Sequence, residues 1–212
     1  MASDSDMLRL FVYPHAVHKR RHGPLGYLDF RDYKPWLRDE FRFSCVYCLC
    51  RERWYPDGDV AFSVDHVQPQ SLAPHLAFSY DNLVYACCHC NSAKRNLADI
   101  ADPCSEPYGE HLEVLEDGTI RGLTILGRDL IQICRLDRPG LTEFRRRMLT
   151  LSRLLLRRPV ADGLALRQKY FGFPDNVPRL AALRPPGGNT RPAGVSVSYF
   201  ELRRAGALPE FF

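Results

Sequence analysis

The chain has 212 residues, 45% of them hydrophobic and 25% charged, and a formal net charge of +4. That profile excludes a disordered or fibrous chain and leaves enough length for one domain with a core, or a domain plus a tail. No apolar run reaches spanning length (the leucines at 154–156 are cut off by Arg153 and Arg157), and residues 1–6 are polar and acidic, so neither a spanning helix nor a signal peptide is read and a cytoplasmic location is expected.

Residues 1–44 form a lead-in segment broken by Pro14, Pro24 and Pro35, with a short helical turn from Trp36 to Phe41. Val60, Phe62 and Val64 alternate with Ala61, Ser63 and Asp65, which predicts a strand; Leu83, Val84, Tyr85 and Ala86 predict a second. Ser92 is a candidate cap for a helix from Ala93 to about Ile100, which Asp102-Pro103 stops. Asp117-Gly118 between the apolar runs 111–115 and 119–123 predicts a hairpin. A helix is expected over 127–136, an interruption at Pro139-Gly140, and a second helix over 141–158 with Phe144, Met148, Leu151 and Leu155 on one face. Beyond Pro159 the signal weakens: 185–189 (Pro-Pro-Gly-Gly-Asn) reads as a flexible or extended linker, and Tyr199, Phe200, Leu208, Phe211 and Phe212 make an apolar end that could dock a partner or pack on its own domain. The expected division is therefore 1–44, a core at 45–158 and a tail at 159–212.

Two basic clusters, His18-Lys19-Arg20-Arg21-His22 and Arg145-Arg146-Arg147 with Arg153, Arg157 and Arg158, suit a phosphate backbone or else a solvated helix face. The eight cysteines are more specific. In a cytoplasmic protein they favour metal binding over disulfides, and Cys45-x-x-Cys48 with Cys87-x-x-Cys90 supplies four soft ligands for tetrahedral zinc. Cys50, Cys88 and His89 offer substitute ligands, whereas Cys104 and Cys134 read as packed thiols. Between the knuckles, Asp65-His66 sets a hard oxygen ligand beside an imidazole at a strand end, and His75 in the same stretch belongs to no motif.

In order, the chain shows a CxxC knuckle, Asp65-His66-x-x-Pro69, Asn82-Leu83, and Cys87-x-x-Cys90-Asn91-x-x-Lys94. This resembles the HNH endonuclease superfamily, in the branch whose ββα-metal core is clamped by a four-cysteine zinc site. The segment from Asp102-Pro103 through His111 to Arg147, with its Asp-Gly-x-Ile-x-Gly-Leu-Thr-x-x-Gly-Arg motif from Asp117 to Arg128, resembles the C-terminal extension of bacterial HNH nucleases, which carries the resemblance over most of 33–150. The resemblance implies an α+β fold, with structural Zn2+ on Cys45, Cys48, Cys87 and Cys90. It implies His66 as general base, Asp65 and Asn91 as ligands of a catalytic Mg2+ or Mn2+, and Asn82 holding the loop that orients the histidine. Asn91 stands where the family has histidine or asparagine, and its neutral amide oxygen suits magnesium or manganese. Lys94 and Arg95 are candidates for DNA phosphate contacts. The expected activity is a metal-dependent cut in double-stranded DNA, in bacterial or antiviral defence or restriction. Two alternatives stand beside it: a nuclease subunit active only with a partner ATPase or sensor, and a non-catalytic zinc module that binds DNA. No aromatic-rich RNA-reading motif is present.

Overall fold

The computed structural model describes residues 9–96, 100–157 and 161–212. Arg158, Pro159 and residues 97–99, and with them the last part of the helix expected to reach Ile100, lie outside the described residues.

The core is an antiparallel strand pair and a helix. Strand β1 (Phe62–His66) pairs with β2 (Leu83–Cys87) in a register that sets Phe62 opposite Cys87 and His66 opposite Leu83. Every residue of β2 is buried, as β-branched and aromatic side chains covered on both faces require. A seven-residue helix (Cys88–Lys94) follows β2 directly and packs on both strands. It begins five residues earlier than the sequence suggests: Cys87 stands at the cap position in extended backbone, and Ser92 lies inside the helix. The second cysteine knuckle therefore occupies the strand-to-helix junction.

Helix α1 (Lys34–Glu40) lies against the strand pair, and we label the core helix Cys88–Lys94 as α2. The first knuckle follows α1 and is tied to β2 by the Val46 amide, which donates to the Tyr85 carbonyl at 3.0 Å. Leu49, at φ 59°, closes the knuckle with its amide on the Cys45 carbonyl at 2.9 Å.

Strands β3 (Leu112–Val114) and β4 (Ile120–Gly122) form the expected hairpin, with Gly118 at φ 86° in its turn. Helix α3 (Ile125–Cys134) packs on this hairpin and on α2. Thr124 caps it, accepting from the Gly127 amide at 3.1 Å. Helix α4 (Pro139–Arg157) includes Pro139 and Gly140 in its first turn rather than after a break, because proline suits a position where no amide donor is needed.

Helix α5 (Ala161–Phe171) had no clear signal in the sequence. Two short helices, α6 (Ala193–Ser196) and α7 (Tyr199–Arg204), complete the tail. The expected linker at 185–189 is instead a turn paired with 23–26. Leu25 donates to the Gly188 carbonyl and accepts from the Gly187 amide, each at 2.9 Å. The fit is tight: a Cβ on Gly26 would lie 2.4 Å from the Gly187 nitrogen. Phe43, Phe173, Val177 and Phe212 form a second buried cluster, so the apolar end packs on its own chain.

Part of each basic cluster is spent on contacts within the chain. His22 and Arg21 pair with Asp39, His18 pairs with Glu40, and Arg20 donates to the Leu83 carbonyl at 2.7 Å. Arg145 is 0% exposed, while Arg146 and Arg147 pair with Glu143 on their own helix. Lys19, Arg146 and Arg147 stay exposed at the surface, and Arg158 lies outside the described residues.

Candidate active site and zinc centre

The two knuckles meet. The Sγ atoms of Cys45, Cys48, Cys87 and Cys90 all lie within 4.8 Å of one another, and all four residues are buried. Cys48 and Cys87 are 3.7 Å apart at sulfur, far beyond a disulfide bond. It matches the edge of a tetrahedron whose centre is about 2.3 Å from each corner, the zinc–thiolate distance. The donor set and its spacing thus fit zinc. Arg138 approaches from the start of α4, with Nη1 3.9 Å from the Cys90 sulfur. Cys88 is exposed and Cys50 lies outside the four-sulfur group; neither replaces a ligand. Burial pushes the thiols of Cys104 and Cys134 up to about 12, as for packed, unreactive cysteines.

Asp65 and His66 stand at the end of β1. His66 is 8% exposed, and its Nε2 lies 2.9 Å from the Ala77 carbonyl. A carbonyl only accepts, so Nε2 carries the proton and the basic lone pair is on Nδ1. Phe30 meets the ring edge-on, with centroids 4.8 Å apart. Burial is the main cause that lowers the His66 pKa below 6.5, with Lys94 adding to it, which keeps the imidazole neutral.

Asn82 clamps the connection between β1 and β2. Its Oδ1 accepts from the Gln68 amide at 2.9 Å, and its Nδ2 donates to the Gln68 carbonyl at 3.1 Å. Ala77 lies within the segment closed in this way, so the clamp supports the carbonyl that His66 engages.

Asp65 is 5% exposed and held from two sides. The Tyr47 hydroxyl donates to Oδ2 at 2.7 Å; Lys94 Nζ donates to Oδ1 at 3.2 Å and to the His66 carbonyl at 2.6 Å. Burial raises the Asp65 pKa against the opposing pull of Lys94. Lys94 is itself 1% exposed, which corrects the expectation that it faces DNA: α2 sets it inward over Asp65, three residues from Asn91. Arg95, at φ 51° after the helix, is exposed.

Asn91 sits over the same strand face two residues from Asp65, its Nδ2 donating to Ser63 Oγ at 2.8 Å. That bond leaves the amide oxygen available. A carboxylate has about four acceptor positions, so Asp65 retains capacity beyond Tyr47 and Lys94. Hard oxygen donors of this kind fit magnesium or manganese, with Asp65 and Asn91 as the two residues able to hold the ion.

Residues 45–97 match the family model described as HNH endonuclease. This segment is an HNH endonuclease domain. The match runs from the first cysteine of one knuckle to just past α2 and encloses the four cysteines, Tyr47, Asp65, His66, Asn82, Asn91 and Lys94, but not Phe30 or Arg138. The hairpin and helices from 112 onward, which the motif from Asp117 to Arg128 suggested as part of the resemblance, lie outside it. The chain matches no curated protein and no solved structure.

Tyr47, Ser63, Phe30 and the Ala77 carbonyl were not evident from the motifs. Tyr47 lies inside the first CxxC, but nothing in that spacing says that its hydroxyl reaches Asp65. Among the described residues no helix is long and apolar enough to cross a membrane.

Proposed function

We propose that this domain hydrolyses phosphodiester bonds in double-stranded DNA, with His66 as the general base and a Mg2+ or Mn2+ ion on Asp65 and Asn91. The observation that carries the reading is the hydrogen bond from His66 Nε2 to the Ala77 carbonyl, which leaves Nδ1 as a neutral base beside a carboxylate. His66 Nδ1 takes the proton of the attacking water. Tyr47 and Lys94 hold the carboxylate in place, and Asn82 keeps the loop closed on the imidazole. When bound, the ion supplies Lewis-acid stabilisation of the scissile phosphate and the leaving 3′ oxygen. The products would carry a 5′ phosphate and a 3′ hydroxyl.

Supercoiled plasmid with purified, zinc-loaded protein tests this. Nicking or linearisation is expected with Mg2+ or Mn2+, and none without the added ion or with His66→Ala. Intact plasmid with folded wild-type protein and either ion, alone and with candidate partner proteins, would overturn the reading.

The near-complete burial of Asp65 and His66 favours a second reading, in which a partner or DNA itself opens the site before it cuts. Cleavage by the protein alone at an ordinary enzymatic turnover, about 1 per second or more, would exclude a required partner.

A further inference from the structure

A cavity of about 1330 Å³ lies where residues 9–14, the first cysteine knuckle and residues 206–212 come together. Asp65, His66 and Asn91 do not line it. Arg51 does, and it is 7% exposed. A buried guanidinium ordinarily has a carboxylate, as Arg38 has Glu52 at 2.6 and 3.1 Å. Among the described residues Arg51 has none. Its one hydrogen bond runs from Nη1 to the Phe171 carbonyl at 3.4 Å, and its other contacts are rings: Phe212 at 4.3 Å, Trp54 at 5.1 Å and Phe171 at 5.9 Å.

The surrounding charge has the same sign. Arg42 lies against the same Phe212 ring, 6.0 Å from its centroid, and Arg9 is exposed on the wall; neither makes an ion pair among the described residues. Burial and the nearby Arg42 together push Arg51 down to about 9. The acids of the wall are Glu40 and Glu210. Glu40 is committed: it accepts from His18, from the amides of Arg21 and His22, and from the Tyr80 hydroxyl. The wall's fourth arginine, Arg167, is engaged with the Leu155 carbonyl, so Arg51, Arg42 and Arg9 stand against one uncommitted carboxylate.

We propose that this cavity binds a small phosphate ester, such as a nucleoside monophosphate, with Arg51 at its floor and Arg42 and Arg9 at its rim. A phosphate ester carries close to two negative charges and accepts paired N–H donors from guanidinium groups, whereas one carboxylate would leave the excess cations uncompensated. The ligand would touch the back of the zinc knuckle and the end of the tail, away from the candidate catalytic residues.

Titration calorimetry of the zinc-loaded full chain with deoxyadenosine monophosphate, and separately with inorganic phosphate, tests the assignment at constant ionic strength. Saturable binding to wild type is expected, weakened about tenfold or more by Arg42→Gln, since loss of one charge-assisted contact is worth at least about 1.4 kcal/mol. Arg51→Gln should abolish it; if that variant does not fold, Arg42→Gln and Arg9→Gln carry the test. His66→Ala should bind as wild type does. Tighter binding of the monophosphate than of phosphate assigns the cavity to a nucleotide, and equal binding to the phosphate group alone. Absence of binding, unchanged binding in Arg42→Gln, or loss in His66→Ala would overturn the proposal, as would Arg42-dependent binding of duplex DNA without binding of either small probe. Failure here leaves the nuclease reading intact, because that reading stands on plasmid cleavage.

Discussion

Asp65 and Lys94 are each other's charge partners in a nearly water-free place, with 3.2 Å between Oδ1 and Nζ. Removing one strands the other. Asp65→Ala should therefore lower stability by about 3–5 kcal/mol in urea unfolding, the cost of an uncompensated buried charge, besides weakening the catalytic ion. Asp65→Ala with Lys94→Met should recover much of that stability without recovering cleavage; a double variant no more stable than the single one would show that the pair is not coupled. His66 has a lowered pKa in the fold. Its unfolded form takes up protons first, so stability from this group is full above about pH 6.5 and is lost as pH falls from there toward the folded pKa. The acid limb of the cleavage profile should lie below that same pH. A limb at or above it would mean that another group limits the reaction. His66→Ala should keep the fold and lose about 10²–10⁴-fold in rate.

At the scale of elements, local rules are mostly obeyed, and one exception is instructive. Arg135 ends α3 at φ 48° and ψ 50°, where the Leu136 amide closes the helix on the Ile131 carbonyl at 2.9 Å. That left-handed position favours glycine. Arg135 is exposed, so Arg135→Gly should stabilise by about 1 kcal/mol and raise the melting temperature; a fall would show that the side chain contributes more than the backbone strain costs. The converse holds in the same helix at Gly127, where a Cβ would lie 2.0 Å from the His111 carbonyl oxygen. Gly127→Ala should cost about 1–3 kcal/mol by driving α3 off the hairpin.

For the whole molecule, the four-cysteine cluster joins chain segments almost 40 residues apart, and Tyr47 carries that junction to Asp65. Cys90→Ser should give unfolded or insoluble protein, since structural zinc binding is coupled to folding. Soluble, compact Cys90→Ser protein without bound zinc would remove the metal from the account of stability. The tail contributes through Phe212 and Phe173, which cover Phe43. It contributes also through the Tyr199 amide on Asp39 Oδ2 at 2.8 Å. It is thus part of the folded unit around the lead-in segment.

The four-cysteine cluster, the strand pair and the hairpin were legible in the sequence because metal chemistry admits few side chains and because knuckles and short strands are local: CxxC spacing, the alternation over 60–65 and the Asp117-Gly118 turn mean much the same in any context. The inward direction of Lys94 was not legible, nor were the burial of Arg145, the hydroxyl of Tyr47 on Asp65 or the pairing of 185–189 with 23–26. Each depends on which distant segment covers a residue, and a basic or Pro-Gly stretch reads alike whether it faces water or a partner from the far end of the chain. Composition could only make the arginines a candidate surface. Tertiary packing decided which of them are spent on Asp39 and on carbonyls, and which, like Arg51, are left facing a cavity.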